Sequence, residues 1–172
     1  AVRAAFASVA RTAASAPARL AHRDFQSANL HVIAGRAPGA RLVMIALQGA
    51  FLAPPEYDLV CLLRDSYVEL EPDEMRAQID RVRPTLPDAP DPETFARRFD
   101  LLTLTRKGKD LGRFVQASRT RGDQRFLQHV PATVRALRAA ASRTAQRDRT
   151  FGPLAELIDS LPESIEAAPC AQ

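Results

Sequence analysis

His22-Arg23-Asp24-Phe25-Gln26-Ser27-Ala28-Asn29 is the stretch on which the reading of this chain turns. It matches H-R-D-x-x-x-x-N, a catalytic-loop pattern of phosphoryl transfer. In that pattern the aspartate accepts the proton of the attacking hydroxyl, and the asparagine five residues on offers an amide oxygen to Mg²⁺. Asp24 is therefore the candidate base and Asn29, the only asparagine in the protein, the candidate metal ligand. The bland alternative is an Asx-type turn between a helix and a strand. The downstream residues favour the first reading: 30–33 and 41–47 read as two short strands of a hairpin, with Gly35, Pro38 and Gly39 in its turn.

Upstream, the first 23 residues contain no acidic side chain. On composition they would pass for a transit peptide, but Val2, Phe6, Val9 and Ala13 fall on one face of an amphipathic helix that breaks near Pro17. No methionine opens the chain, and the expectation is a start inside a longer ancestral domain. Downstream of the Pro54-Pro55 break, Tyr57, Val60, Cys61, Leu63 and Arg64 begin a helix expected to be central in the core. A second starts at Pro72, with Glu71 and Asp73 at its positive end, and stops before Pro84. Residues 85–92 read as a linker. Phe95, Phe99, Leu102, Leu111, Phe114 and Val115 recur near helical spacing, which predicts one long helix or two in series over 93–117, weakened at Gly108 and Gly112. A turn at Arg121-Gly122-Asp123, a short helix over 124–130, a helix from Pro131 with Val134, Leu137 and Ala141 inward, and a last short helix over 153–161 complete the pass. The domain is expected over 1–150 (loop 22–29, hairpin 30–47, helices 56–150), with 151–172 as a tail.

At 172 residues the chain has the length of one domain, short of a two-lobed enzyme of the usual kinase size. Hydrophobic residues make up 46 %, but 31 are alanines, so helices around a modest core are expected. No apolar run approaches the ~20 residues of a membrane span. Cys61 and Cys170 form neither a disulfide framework nor a zinc cage, which suits a reducing cytoplasm. The net charge of +4 is uneven, with 14 basic and 4 acidic residues between 97 and 150. That stripe is either a solvated face or a contact for nucleic acid or a small anion. Nucleic acid is disfavoured, because Phe126 is the only aromatic between Arg119 and Arg149. His31 and His129 are isolated and read as structural, His22 as a scaffold group of its loop, and Glu56 and Asp65 as helix-end and surface carboxylates. No HExxH, GxSxG or cysteine–histidine pairing suggests hydrolytic chemistry.

With HRDFQSAN at 22–29, IALQGAFLAPPEYDLVCLLRDSYVEL at 45–70, and RKGKDLGRF and GDQRFLQHVP between 106 and 131, the chain resembles the aminoglycoside phosphotransferase-like kinases. Within them it is most similar to the bacterial N-acetylmuramate/N-acetylglucosamine anomeric kinases of cell-wall recycling, over residues 1–140 or so. The resemblance implies a mainly α (α+β) fold, the C-terminal lobe of a protein-kinase-like enzyme, helical with one small β-hairpin and without the N-terminal lobe. It implies Asp24 as base, Asn29 on the metal, His22 and Arg23 as supports of the loop, and Asp58 as the aspartate that steadies it from the following helix. ATP and Mg²⁺ are the implied cofactors and an amino sugar the implied substrate. Arg106 and Lys109 fall where the sugar-kinase branch carries R-x-x-K, either facing the substrate or on a solvated helix face.

Two departures qualify this. Where the family writes I-D-F-Q-G, the chain has Ile45-Ala46-Leu47-Gln48-Gly49, so a methyl group stands at the position of the principal Mg²⁺-binding aspartate. The seven glycines form neither GxGxxG nor GxxxxGK[ST], and too few residues precede His22 for a nucleotide-binding lobe. The expectation is a truncated or degenerate phosphotransferase, inactive alone, or a pseudokinase module that binds sugar or protein. Apolar surface near the first helix and hairpin is expected to be left open, to be covered by a missing lobe or by self-association.

Overall fold

The structure is a computed structural model and describes residues 2–33 and 41–165. Gly35, Pro38, Gly39 and Cys170 lie outside the described residues, as does the side chain of Val2. The fold is mainly α, with helices α1 (Val2–Ser15), α2 (Glu56–Leu63), α3 (Pro72–Val82), α4 (Pro92–Arg121), α5 (Val130–Arg147) and α6 (Gly152–Asp159). Four short strands accompany them: β1 (Arg19–Ala21), β2 (Leu30–Ile33), β3 (Arg41–Met44) and β4 (Phe51–Ala53).

Helix α4, 30 residues long, is the spine against which α1, α2 and α5 pack. Its start is sharply defined: Asp91 accepts from the amides of Glu93 at 2.9 Å and Thr94 at 3.0 Å, and Pro92 occupies the first turn. It ends at Gly122, whose φ of 65° is the left-handed C-cap glycine adopts without strain. Gly108 and Gly112 do not interrupt it, because helix propensity costs only about 1 kcal/mol per glycine and the buried face outweighs it. The sequence put α2 at the centre of the core; at eight residues it is instead a flank of α4.

Three apolar clusters form on this spine. One joins Ala5 and Val9 of α1 to Leu101, Leu104, Leu137, Phe151, Leu154 and Ile158. A second joins Val60 and Leu63 to Phe95, Phe99 and Leu102, and a third Phe114 to Val130 and Val134. The inner face of α1 is rotated from the expected one: Ala5 and Val9, four apart, are buried, while Phe6 is 53 % exposed. Ala5 is fully buried in this contact, an inward role that a count of bulky residues overlooks. The short helix expected over 124–130 is a 3₁₀ turn (Leu127–His129) that runs directly into α5.

The expected hairpin is β2–β3, in register from Leu30↔Met44 to Ile33↔Arg41. The second strand stops at Met44 rather than at 47, because Ala46 turns left-handed (φ 66°, ψ 35°) ahead of a 3₁₀ turn at Leu47–Gly49. A second two-stranded sheet, unexpected from sequence, pairs β1 with β4, Arg19↔Ala53 to Ala21↔Phe51. Strands of three residues carry too little periodicity to be read, and these are separated by 29 intervening residues. This pair closes the chain around the 22–29 loop, which leaves β1 at His22 and enters β2 at Leu30. Among the described residues no helix is long and apolar enough to cross a membrane.

Candidate functional site

The loop from His22 to Asn29 is held by side chains from three elements. From α2, Asp58 accepts the backbone amides of His22 at 2.7 Å and Arg23 at 3.1 Å, and Cys61 Sγ reaches the carbonyl of Arg23 at 3.4 Å. Burial pushes the Cys61 thiol up to about 11, so this cysteine is structural rather than nucleophilic. His22 is buried and its Nε2 lies 2.8 Å from the carbonyl of Ile45, tying the loop to the end of the hairpin. Arg23 has φ 75°, and its side chain lies over Gly49, where a Cβ would come within 3.0 Å of Nη1. Just past α2, Asp65 accepts from both the amide (2.8 Å) and hydroxyl (2.6 Å) of Ser27. Read from sequence as a surface carboxylate, it is instead a second clamp on the loop; its separation of 38 residues from Ser27 hid the contact. Glu56 stands at the start of α2 as expected, but it is fully buried against Arg98 rather than on the surface.

Asp24 and Asn29 converge. Asn29 Nδ2 donates to the carbonyl of Asp24 at 2.8 Å and to its carboxylate at 3.3 Å. The other carboxylate oxygen of Asp24 accepts from Arg106 Nη2 at 2.9 Å, and the same guanidinium reaches Gln26 Oε1 and the carbonyl of Arg23, both at 3.1 Å. Partial burial raises the Asp24 pKa, but Arg106, Lys109 and Asn29 together outweigh it and hold the carboxyl below its ordinary value. Arg106 is thus not on a solvated face: it is 4 % exposed, and its neighbour Lys107 is buried too. Lys107 donates to Ser66 at 2.7 Å and to Asp110 at 3.1 Å, while Asp110 also lies 3.4 Å from Arg106. The spacings of three and four residues place all three groups on one face of α4. Lys109 is half-buried and contributes to the field at Asp24 without bonding to it.

Asp24 opens on a cavity of about 110 Å³ walled by Gln26, Ser66, Tyr67, Arg113 and Phe126. Ser66, Asp110 and Tyr67 were not singled out from sequence; the Lys107-x-x-Asp110 spacing was the available signal. Ala46 follows the Ile45 carbonyl that His22 engages and offers no oxygen from its side chain. A protein-held Mg²⁺ wants near-octahedral oxygen ligands with one or two carboxylates. Here the donors are one asparagine amide oxygen and the Asp24 carboxylate, which Arg106 and Asn29 already engage. Among the described residues no group of three His, Cys, Asp or Glu could hold a metal. The donor set does not fit Mg²⁺.

The basic stripe of 97–150 is paired in part, with Arg97, Arg113, Arg119, Arg121, Arg125 and Arg149 exposed. Asp100 takes Arg143 and Arg147 at 2.6 and 2.7 Å, Arg135 pairs with Glu69, and Arg138 with Glu163. The contribution of α4 to it points partly inward, onto Asp24 and Asp110.

A buried guanidinium on a loop aspartate, an asparagine beside that aspartate, and a helical bed that fixes both define a scaffold built to present one ionised carboxylate to a small cavity. Curated relatives agree with a kinase-like origin. The chain is 31 % identical over 162 residues to the N-acetylmuramate/N-acetylglucosamine kinase of Pseudomonas aeruginosa, covering 91 % of this chain and 45 % of that protein. It is 30 % identical over 142 residues to the protein of that name from Neisseria meningitidis, and over 110 residues to that of Caulobacter vibrioides, covering 41 % and 30 % of those proteins. The chain therefore spans less than half the length of the relatives it matches. No family model matches it.

Proposed function

We propose that these residues form the proton-abstracting half of an amino-sugar phosphotransferase in degenerate form. The reaction of origin moves the γ-phosphoryl group of ATP onto the anomeric hydroxyl of an N-acetylated amino sugar. The observation that carries this reading is Asp24 held ionised by Arg106, with Asn29 bonded to its carboxylate, above the cavity. In that role Asp24 accepts the proton of the sugar hydroxyl, and Arg106 keeps it ionised and aimed. Asp58 and His22 keep the loop in register with the hairpin. Phosphoryl transfer depends on neutralising charge as much as on the base, and a methyl at Ala46 supplies none. The chain alone is accordingly inactive or nearly so.

Ala46 also favours the second reading, a pseudokinase module that retains a sugar or protein site without catalysis. Isothermal titration with N-acetylmuramate and with Mg·ATP, beside a coupled kinase assay, separates the two. Sugar binding that survives Asp24→Ala with no nucleotide binding selects the binding module. Turnover at the rate of an ordinary small-molecule kinase would refute inactivity, and absence of sugar binding removes the amino-sugar reading.

A further inference from the structure

Away from the loop, α3, the start of α4 and the end of α5 line an open cavity of about 480 Å³, within the size range of small-molecule sites. Its floor is apolar, from Met75, Ile79, Phe95 and Phe99. Its lining carries five arginines against two aspartates. One of the aspartates, Asp100, is already saturated: Arg143 grips both its oxygens and Arg147 donates to one of them.

Arg64, at the end of α2, is the unexplained group. Its backbone amide donates to the carbonyl of Val60 at 3.0 Å, while its guanidinium carbon lies 5.9 Å from the centre of the Phe99 ring. Its Nε is fully enclosed and unpartnered. Burial first, and then the neighbouring Arg143, work against its charge, and Asp100 offsets them only in part. Such a cation is costly unless an anion completes it.

We propose that this cavity binds a small amphipathic anion, a carboxylate or phosphate on an apolar body, with Arg64 on the acidic group and the body on the Met75–Ile79–Phe95–Phe99 floor. The proposal does not depend on the phosphotransferase reading. A free small molecule fits better than a lipid bilayer, because the arginines line a concave, open-mouthed hollow rather than a flat face. A residue kept for a ligand rather than for the fold leaves the empty protein no less stable when removed, and a ligand that binds only the folded state raises the melting temperature.

The test uses the full 172-residue chain with octanoate, octyl phosphate and octan-1-ol as probes, read by isothermal titration and thermal melting. Octanoate and octyl phosphate are expected to bind saturably, and octanol about tenfold more weakly or not at all, since a hydrogen bond to a charged group carries about that factor. Arg64→Gln is expected to lower octanoate affinity about tenfold by the same reasoning, to melt no lower than the parent, and to lose the octanoate-induced rise in Tm. Should that variant not fold, Ile79→Glu, which sets a carboxylate on a half-exposed part of the floor, is expected to abolish octanoate binding. Absence of octanoate binding, equal affinity for octanoate and octanol, or octanoate binding indifferent to these substitutions overturns the proposal. Arg64-dependent sedimentation with phosphatidylglycerol vesicles, without binding of octanoate, overturns it in favour of a membrane surface.

Discussion

Arg106 donates at once to Asp24, to Gln26 and to the carbonyl of Arg23, so one side chain from α4 sets both the charge and the position of the loop carboxylate. Because the folded pKa of Asp24 lies below its ordinary 3.8, this pairing stabilises the fold above that pH and is lost as pH falls through the folded value. Arg106→Met is expected to cost about 1–3 kcal/mol, because it removes the charged partner of the part-exposed Asp24 while Asp110 keeps Lys107. Urea titration measures the loss, and carbon NMR of the Asp24 carboxyl should show its pKa rise; an unchanged titration would show that Arg106 does not set this charge. Ala46 makes a second residue-scale case. A left-handed backbone disfavours alanine by about 1–2 kcal/mol and suits asparagine or aspartate better. Ala46→Asn should therefore raise Tm by about 2–4 °C for a chain this size. A calorimetric melting point at or below that of the parent rules out strain at this position.

At the scale of elements, α2 and α4 act through their ends and faces. Asp58 gives both carboxylate oxygens to the loop amides, so Asp58→Ala leaves two amides without acceptors and should cost about 1–3 kcal/mol. Hydrogen exchange of residues 22–29 should accelerate more than that of α4. Uniform acceleration across both would mean that Asp58 supports the whole fold rather than the loop. Helix α4 depends on its N-cap, and Asp91→Ala should lower the melting temperature without altering the titration of the Asp24 carboxyl. These elements were legible to different degrees. Pro72 and Pro131 marked helix starts, and the turn at Arg121-Gly122-Asp123 marked where α4 stops, because such signals are local chemistry; the Asp91 cap was not singled out. The left-handed turn at Ala46 and the β1–β4 pair were not legible, since the first is imposed by the hairpin end and the second by contacts distant in sequence.

For the molecule as a whole, the notable surface lies around the two small sheets, where Leu20, Leu52 and Val32 are 70 %, 70 % and 67 % exposed. Exposed apolar side chains clustered in this way favour association or partner contact over a dispersed monomer. Light scattering of the 172-residue chain should therefore show a concentration-dependent rise in apparent mass that Leu20→Lys with Leu52→Lys suppresses. A parent chain that stays monomeric over the same range contradicts the expectation. In the basic stripe, Asp24, Glu69, Glu163 and Asp100 take five of the twelve arginines, and any nucleic-acid binding through the exposed remainder should weaken steeply with salt.

The order of residues alone settled the helical class, the hairpin after the loop, and Asp24 and Asn29 as a spaced pair, because periodicity, capping and motif spacing act over a few residues. Folding in three dimensions decided that α4 rather than α2 is the spine, that Asp65 clamps Ser27, and that Arg106 turns inward to hold Asp24. It also left Arg64 unpaired beside Phe99. Those outcomes depend on which distant groups share a buried, poorly solvated space, and only packing determines who occupies it.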